Sequence, residues 1–459
     1  MNDRFSRTWM AGVLIAFSCS TATAQRTDSL VGESINVSKA INTTVEAQSL
    51  NSKVNSPYFE SGPTLTKDGK RLYFSRHGHP ENTGGIEDQD IWFSEFDDAT
   101  QSWTEAINIG SPLNNLGPNF ICGVGWRGDT VLLGNVYNKK GKVKAGVSLS
   151  IKTGDLWSFP VPVYVSHDYN LSENVAYDLS PDRNSLIIAE QKVDSQGKLD
   201  LYVAFRDPNA KNPYSGTESI NLGPTINTFG NETSPFLAYD GKTLYFSSDG
   251  YNGYGGLDIY VSKRLDRTWT NWSKPENLGP GINTPYDDAY FGFTPNNRYA
   301  FYARGISPSN SDIYQIDMTY LFKTNPVPSD QLNESDAIHV GQTTVVKQVF
   351  TTNSKEINQG VIADLDRVAR YMQIHKDMII LISAHSNVHS SRNESHQLSI
   401  ERANKVMDYL VKNGIDKSRL SCHGFGQDVV ANQTSTTSSS SKELDTASSV
   451  EFRFVGTGK

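Results

Sequence analysis

Polar turns alternate with short apolar runs over most of the chain, and four of these places share one pattern. They are KDGKRLYFSR from Lys67, SPDRNSLIIAE from Ser180, YDGKTLYFSSDG from Tyr239 and TPNNRYAFYARG from Thr294. A polar turn followed by an alternating, aromatic-rich run is typical of a β-hairpin. This part of the chain is therefore predicted to consist of antiparallel strands.

A second motif follows each hairpin and sets the period of a repeat. Its copies are QDIWFSEF, LDLYVAFR, LDIYVSKR and SDIYQIDM, with their Asp residues at Asp90, Asp200, Asp258 and Asp312. These lie 110, 58 and 54 residues apart, and a copy without the Asp, GVSLSIK at Gly146, divides the longest interval into 56 and 54. Five units of three or four strands are predicted. Because the Asp recurs once per unit, we interpret it as a residue that orients the turn before the strand.

A third motif closes the units, as SPLNN, GPTINT and GPGINT, which end at Asn115, Thr228 and Thr284. The segment Ser34–Thr43, SINVSKAINT, ends in the same way before the first unit begins. Units of this kind arranged radially form a β-propeller, in which each sheet packs between two neighbours. Since the last unit is one strand short, we predict that Ser34–Thr43 completes the last blade and closes the ring. The fold predicted for residues 34–325 is an all-β propeller of about five blades.

These markers resemble the WD-repeat-like propeller repeats of the TolB type, which occur in many envelope proteins of Bacteroidota. The resemblance covers residues 34–325 and rests mainly on the regular spacing of the motifs. It implies a domain that binds partner proteins.

The pattern changes after residue 322. Pro, Ser and charged residues without periodicity, KTNPVPSDQLNESDA, predict a linker, which we place at residues 326–337. Beyond it, apolar residues recur at helical spacing in two stripes: Val361, Leu365, Val368 and Met372, then Ala403, Val406, Met407, Leu410 and Val411. Met378–Ile382 is predicted to be a buried strand, and SRLSCHGFG and SVEFRFV to be two later strands. Alternating strands and helices predict an α/β sandwich over residues 338–459.

The first residues have the pattern of a secretory signal. Two Arg precede the apolar run Met10–Phe17, and a small-residue cleavage site follows it. The run is too short to span a bilayer. We predict that residues 1–24 are a signal peptide and that the mature protein is exported, with acylation at Cys19 as the alternative.

Charge and cysteine content narrow the possible functions. The formal net charge is -8, and it becomes -9 without residues 1–24, which disfavours nucleic acid as a partner. The mature chain holds Cys122 and Cys422, which we interpret as unpaired buried thiols, although an exported protein would permit a disulfide.

Little in the sequence indicates catalysis or a cofactor. There is no G-x-S-x-G nucleophile elbow. His77 and His79, in a loop with Asp88 and Asp90, form the one cluster that suits a metal, and two His at a spacing of two are weak evidence for a site. We therefore predict no cofactor, no metal and no enzymatic activity, and keep an envelope lyase or hydrolase as a third possibility.

Three segments of the second region carry a family resemblance: AHSN at Ala384, LSIERANKVMDYL from Leu398 and GIDKSRLSCHGFG from Gly414. They resemble the C-terminal OmpA-like domain, which is shared with peptidoglycan-associated lipoprotein and the stator protein MotB, over residues 340–456. The resemblance implies binding of the diaminopimelate in a peptidoglycan stem peptide. In that family an Asp in the first loop binds the ammonium, and an Arg on the second helix binds the carboxylate.

Carried over by position, the family Arg is Arg402, and the Asp position is held by Asn387, next to Ser386. These three residues are the predicted peptidoglycan site. Ser395 replaces a usual Asn, and Ser448–Ser449 replace a usual pair of Arg. A low-complexity segment, NQTSTTSSSSKELDT, lies between the last two predicted strands. The missing acid predicts weakened binding.

These features predict a non-catalytic periplasmic scaffold at the outer membrane and cell wall. Its propeller would bind envelope or secretion-system proteins, and its OmpA-like domain would bind peptidoglycan. The domain order resembles envelope scaffolds of Bacteroidota, including the peptidoglycan-associated component of the type IX secretion machinery, but without a helical repeat domain. Asn387 and the missing Arg pair support an alternative, a pure interaction module that does not bind peptidoglycan.

Overall fold

The computed structural model divides the chain into two compact units, residues 1–321 and 322–459. The residues that it describes are 35–125, 128–141, 143–166, 169–172, 174–207, 209, 214–293, 299–307, 310–321, 327–329, 332, 343–351, 354–376, 378–386, 392–424 and 449–457. The predicted signal peptide lies outside the described residues.

The first unit consists mainly of antiparallel sheets whose strands follow one another in the sequence. A two-residue strand, β1 (Gln48–Ser49), precedes them. The first sheet contains β2 (Phe59–Leu65), β3 (Arg71–His77), β4 (Gln89–Asp97), β5 (Ser102–Trp103) and β6 (Ile107–Asn108). The second contains β7 (Ile121–Val124), β8 (Thr130–Tyr137), β9 (Val143–Thr153), β10 (Leu156–Trp157) and β11 (Val161–Val163).

The remaining sheets of this unit have the same meander order. After β12 (Val165–Ser166), the third sheet contains β13 (Ala176–Leu179), β14 (Ser185–Glu190), β15 (Asp200–Phe205) and β17 (Ile220–Asn221), and β16 (Tyr214–Glu218) pairs with β12. The fourth contains β18 (Glu232–Leu237), β19 (Thr243–Ser248), β20 (Asp258–Lys263) and β21 (Glu276–Asn277). The fifth contains β22 (Asp288–Phe293), β23 (Tyr299–Ser307), β24 (Asn310–Asp317) and β1, before the short helix α1 (Met318–Leu321).

The five larger sheets pack against one another through their first strands. β2 contacts β7, β7 contacts β13, β13 contacts β18, β18 contacts β22, and β22 contacts β2. Apolar clusters fill the spaces between neighbouring sheets, as where Ile187 and Leu201 of the third sheet meet Leu244 and Phe246 of the fourth. Among the described residues, no sheet closes on itself.

The last sheet is completed by an N-terminal strand, but the predicted strand is wrong. β1, Gln48–Ser49, pairs with β24. The sequence predicts that Ser34–Thr43 pairs with the last sheet. Instead, Val37 forms an isolated β-bridge with Asn277 of the fourth sheet, and Asn36 O accepts a hydrogen bond from Asn277 N at 2.8 Å.

A buried Asn explains this correction. Asn227 Oδ1 accepts from Leu201 N at 2.8 Å, and its Nδ2 donates to Leu201 O at 3.0 Å, so one amide joins the closing motif to the third strand of its sheet. In the last sheet Asn55 makes the same pair of bonds to Ile313, at 2.8 and 3.0 Å. The sequence INT at residues 41–43 matches the closing motif. The amide that bonds to the last sheet, however, belongs to Asn55, thirteen residues after Asn42.

The recurring Asp residues hold the turns before their strands. Asp90 accepts from Thr83 N at 2.6 Å and from Asn108 Nδ2 at 2.8 Å. Asp200 accepts from Gln196 N at 2.8 Å. The bonds to Thr83 and Gln196 join these two carboxylates to the loops before their strands, in agreement with a role in orienting the turn.

The second unit is an α/β structure with one five-stranded sheet. Its elements are β25 (Val327–Pro328), β26 (Thr343–Val346), α2 (Ile362–Ile374), β27 (Met378–Ala384), α3 (Arg392–Lys412), β28 (Leu420–Gly424) and β29 (Val450–Thr457). The sheet order is β25-β26-β29-β27-β28, and the β25–β26 and β27–β28 pairs are parallel. Proline is tolerated in β25 because that strand lies at the edge of the sheet.

The helix stripes predicted from the sequence form the core of this unit, with one exception. Leu365, Val368 and Met372 of α2 and most of the α3 stripe are buried against the sheet, but Val411 is 38% exposed. Within the predicted linker, residues 326–337, Val327 pairs with Thr344, and Leu332 lies in the core of the second unit.

Candidate functional site

The predicted ligand site lies where β27 ends beside α3. Every residue of β27 is buried, and the strand ends at Ala384. The next two residues, His385 and Ser386, therefore leave the sheet at the carboxyl end of a central strand. Asn387 lies outside the described residues, and so does Ser448.

Arg402 of α3 is almost completely buried, at 3% exposure. Its Nε donates to Ser354 O at 2.9 Å, and its Nη1 donates to His385 O at 3.0 Å. The guanidinium thus joins α3 to two other segments of the unit. These two bonds fix the plane and direction of the cation at the end of β27.

Burial and an aromatic ring define the electrostatics of this cation. The guanidinium carbon lies 5.0 Å from the centre of the Phe350 ring, which is within the range of a cation–π contact. Burial lowers the pKa of Arg402, but an arginine still keeps its proton at physiological pH. A fixed charge therefore sits in surroundings of low polarity, where it attracts an anion more strongly than a solvated charge would.

Ser386 provides a second polar group at the same end of the strand. The residue is 0% exposed, and its Oγ has no hydrogen-bond partner among the described residues. A buried hydroxyl is normally hydrogen-bonded, so one without a partner is a candidate for contact with a ligand. Two of the three predicted site residues, Ser386 and Arg402, lie at the same end of β27. Arg402 bonds to the carbonyl of His385, which directly precedes Ser386.

Close packing holds α3 against the sheet near this site. A Cβ atom at Gly424 would lie 2.3 Å from Ile400 N, so only glycine permits this approach of β28 to the helix. Ser395 and Ser399 are buried on the same helix, and Ser399 Oγ donates to His396 O at 2.7 Å. Ser395, one of the positions noted in the sequence, therefore faces the interior.

The segment at residues 354–356, which contacts Arg402 and its neighbours on α3, was not identified from the sequence. Lys355 pairs with Glu401 at 3.2 Å, and Lys405 pairs with Glu356 at 3.7 Å, so exposed ion pairs tie this segment to α3. The bond from Arg402 to Ser354 spans 48 residues and ends on a backbone carbonyl. Every residue carries such a carbonyl, so no sequence pattern could have indicated this contact.

The other sequence candidates lie in the first unit. The His79 ring packs edge-on against Tyr58 and Trp92, with ring centres 4.8 and 4.6 Å apart, and Asp88 accepts from Gly84 N at 2.9 Å. Within the described ranges, no group of three or more His, Cys, Asp or Glu is placed to hold a metal ion.

The cysteines and the helices add two findings. Cys122 and Cys422 are free thiols, and both are half-buried, whereas the sequence predicts buried ones. Of the helices in the described part of the chain, none has both the length and the apolar character needed to cross a membrane.

Comparison with known proteins identifies the second unit. Residues 349–443 match the OmpA family, so the chain carries a C-terminal OmpA family domain. No curated protein matches the chain.

Solved structures that resemble the chain include three from bacterial envelopes. The peptidoglycan-associated lipoprotein from Burkholderia pseudomallei is 16% identical over 24% of this chain and 88% of its own, with a TM-score of 0.21. An outer membrane protein from Borrelia burgdorferi is 24% identical over 27% of this chain and 100% of its own, with a TM-score of 0.21. The periplasmic domain of Helicobacter pylori MotB is 20% identical over 29% of this chain and 86% of its own, with a TM-score of 0.23.

Proposed function

We propose that this protein, with its C-terminal OmpA family domain, is a non-catalytic scaffold of the periplasm that binds peptidoglycan at the outer membrane and cell wall. OmpA-like domains bind peptidoglycan, and families of this type are structural and not catalytic. The observation that carries the proposal is the buried guanidinium of Arg402, which bonds to the carbonyl of His385, next to Ser386, whose hydroxyl has no partner among the described residues.

The chemistry of a stem peptide fits these groups. Diaminopimelate offers a carboxylate and an ammonium at its free end. A guanidinium held in place by two carbonyls loses little conformational freedom when it binds a carboxylate, and Ser386 Oγ supplies a further donor. Asn387 would accept from the ammonium without a charge. The site therefore keeps the anion-binding half of the family arrangement and weakens the cation-binding half.

For the first unit we propose a five-bladed propeller that binds protein partners. The cycle of contacts from β2 through β7, β13, β18 and β22 back to β2 supports a radial arrangement of the five sheets. Contacts of β1 with the last sheet support closure by an N-terminal strand. The partners we propose are envelope or secretion-system proteins. This part of the proposal is tested by capturing partners from envelope extracts with the first unit and then reconstituting the complex from purified proteins.

The peptidoglycan proposal is tested by isothermal titration of the mature protein with a diaminopimelate stem peptide. We expect weak binding that Arg402→Ala abolishes. Asn387→Asp restores a charge-assisted bond worth about 1 to 2 kcal/mol more than a neutral one, so binding should tighten roughly 5- to 30-fold. Arg370→Ala, on the other helix of the same unit, is the matched control and should bind like the wild type.

Two results would contradict this function. One is a wild-type protein that does not bind the stem peptide, and the other is an Asn387→Asp protein that binds no better than the wild type. Either result would favour the pure interaction module, in which the family site has lost its ligand.

A further inference from the structure

A cavity of about 160 Å³ lies among the first strands of the five sheets in the first unit. Its walls come from β2, β7, β13, β18 and β22. A buried cavity of about 150 Å³ is large enough for a benzene-sized molecule. The cavity is therefore large enough for a small organic ligand, and none of its lining residues belongs to the peptidoglycan site.

Four polar side chains line this cavity at a constant interval. Cys122 of β7, Asp178 of β13, Ser234 of β18 and Tyr290 of β22 are each separated by 56 residues, which is the period of the repeat. Equivalent positions of four sheets therefore bring a thiol, a carboxyl, a hydroxyl and a phenol to one place. We call these four residues the polar ring.

The backbone is strained at two members of the polar ring. Ser234 has φ 49° and Tyr290 has φ 61°, both at irregularities in the pairing of their strands. In β2 the corresponding irregularity holds Gly62, with φ 60°. Glycine adopts this conformation without steric cost, whereas serine and tyrosine do not. Strain that aims a side chain into a cavity indicates a functional role for that side chain.

The polar ring is not fully satisfied by the protein. Ser234 is 5% exposed, and its Oγ forms no hydrogen bond of normal length and angle with the described residues, although it lies near enough to the Tyr290 phenol to act on its pKa. One oxygen of Asp178 accepts from Leu237 N at 2.7 Å. Burial raises the pKa of Asp178 to about 7, and burial also raises the pKa of Cys122 and of Tyr290. Near neutral pH the thiol and the phenol keep their protons and remain hydrogen-bond donors.

Two cations and several apolar side chains complete the lining. Lys67 and Arg183 lie in the wall, and Leu132, Phe236 and Phe293 contribute apolar surface. Among the lining residues two are cationic, Lys67 and Arg183, and one is acidic, Asp178. Such a lining suits a ligand that carries an anionic acceptor group on an apolar body.

We propose that the cavity of the first unit binds a small organic acid, whose carboxylate accepts hydrogen bonds from Cys122, Ser234 and Tyr290 of the polar ring and whose apolar body packs against the aromatic and aliphatic wall. This inference is independent of peptidoglycan binding, because it concerns residues of the other unit.

The test uses three probes of similar size that differ in charge: benzoate, benzyl alcohol and benzylamine. Each is titrated into the full mature protein and followed by saturation-transfer NMR and calorimetry. Benzoate should bind saturably and more tightly than benzyl alcohol, and benzylamine should not bind. Preference for benzylamine, or no saturable binding of benzoate, overturns the proposal.

Two substitutions separate ligand binding from folding. Ser234→Gly removes the hydroxyl and relieves the strained φ, so the Tm should not fall while benzoate affinity drops about threefold to tenfold. Tyr290→Phe should weaken benzoate to a similar degree. Unchanged affinity in both variants overturns the role of the polar ring.

Two controls locate the site. Gln101, with φ 50°, is exposed and does not line the cavity, so Gln101→Gly relieves the same kind of strain and should leave benzoate affinity unchanged. Arg402→Ala removes the proposed peptidoglycan contact and should also bind benzoate like the wild type. Loss of benzoate binding in Arg402→Ala would place the site in the second unit and overturn the proposal.

Discussion

The two units differ in the hydrogen-bond partners of their buried charged side chains. In the first unit, Glu60 and Glu232 hold the same position of two sheets, and each accepts hydrogen bonds from nearby side chains of the same unit. In the second unit, the buried Arg402 bonds to backbone carbonyls of two distant segments, beside a hydroxyl without a partner among the described residues. A polar group that recurs with its partners stabilises the fold, whereas one that lacks a full set of partners is a candidate for ligand binding.

Glu232 and Glu60 show this arrangement in the first unit. Glu232 of β18 accepts from Thr228 Oγ1 and from Ser248 Oγ, both at 2.6 Å. Glu60 of β2 holds the same place, where it accepts from Ser56 and pairs with Arg76 at 2.8 Å. Each acid joins the closing motif to the first two strands of the next sheet.

The largest effect is expected from the buried ion pair of the first sheet. Arg76 and Glu60 are 5% and 0% exposed, so Arg76→Ala leaves a buried carboxyl without its cation. We expect the first unit to lose about 3 to 5 kcal/mol of stability, measured by denaturant unfolding of the mature protein. The control is Lys70→Ala, which removes the exposed pair with Asp98 and should cost less than about 1 kcal/mol. Equal costs for both variants would contradict the structural role of the repeated acids.

The next effect is a dependence of stability on pH. Burial raises the pKa of Glu232 from 4.5 to about 7, so the folded protein keeps a proton that the unfolded chain releases above pH 4.5. The first unit should therefore lose stability as the pH rises from 4.5 to 7, by about 3 kcal/mol for this one group. Glu232→Gln keeps the shape of the side chain and should flatten the slope of unfolding free energy against pH. An unchanged slope would show that Glu232 is ionised in the folded protein.

A third experiment concerns the boundary of the second unit. Residues 322–459 expressed alone should unfold cooperatively in a thermal melt. Residues 338–459 lack β25 and the buried Leu332, so they should be less stable by roughly 2 to 3 kcal/mol. If both fragments melt at the same temperature, residues 326–337 act as a linker, as the sequence predicts.

The fourth experiment tests how the last sheet is completed. Asn55→Ala leaves the N–H and C=O of Ile313 without their side-chain partner, and we expect a loss of about 2 kcal/mol. Asn42→Ala, in the segment first predicted to close the ring, should cost less than about 1 kcal/mol. The reverse order of the two costs would restore the prediction from the sequence.

The smallest effect on stability is expected at Arg402. Arg402→Lys keeps the charge but cannot donate in two fixed directions, so the second unit should lose only about 1 kcal/mol, while stem-peptide binding should fall below detection. Thermal melting and titration of the same sample separate the two effects. A variant that melts like the wild type and binds the peptide equally well would show that the fixed direction of the guanidinium is unimportant.

Several features of the fold could be predicted because their signal is local. Period-two runs such as that from Lys67 became strands, and the stripe through Leu365, Val368 and Met372 became the buried face of a helix. The pattern around Arg402 was sufficient to predict an OmpA-like domain over residues that match that family. For the strands and the helix the chemistry of neighbouring side chains sets the periodicity, whereas the OmpA-like domain was inferred from its resemblance to a known family.

Other features depended on groups that the sequence does not distinguish. Arg402 bonds to the carbonyls of Ser354 and His385, although every residue has a carbonyl. In the last sheet the amide that bonds to the third strand belongs to Asn55. Residues 41–43, INT, are more similar to the closing motif, but Asn55 is the residue that lies beside Ile313. The regular interval from Cys122 to Tyr290 is visible in the sequence, but only the packing of the strands around a common space makes those side chains neighbours.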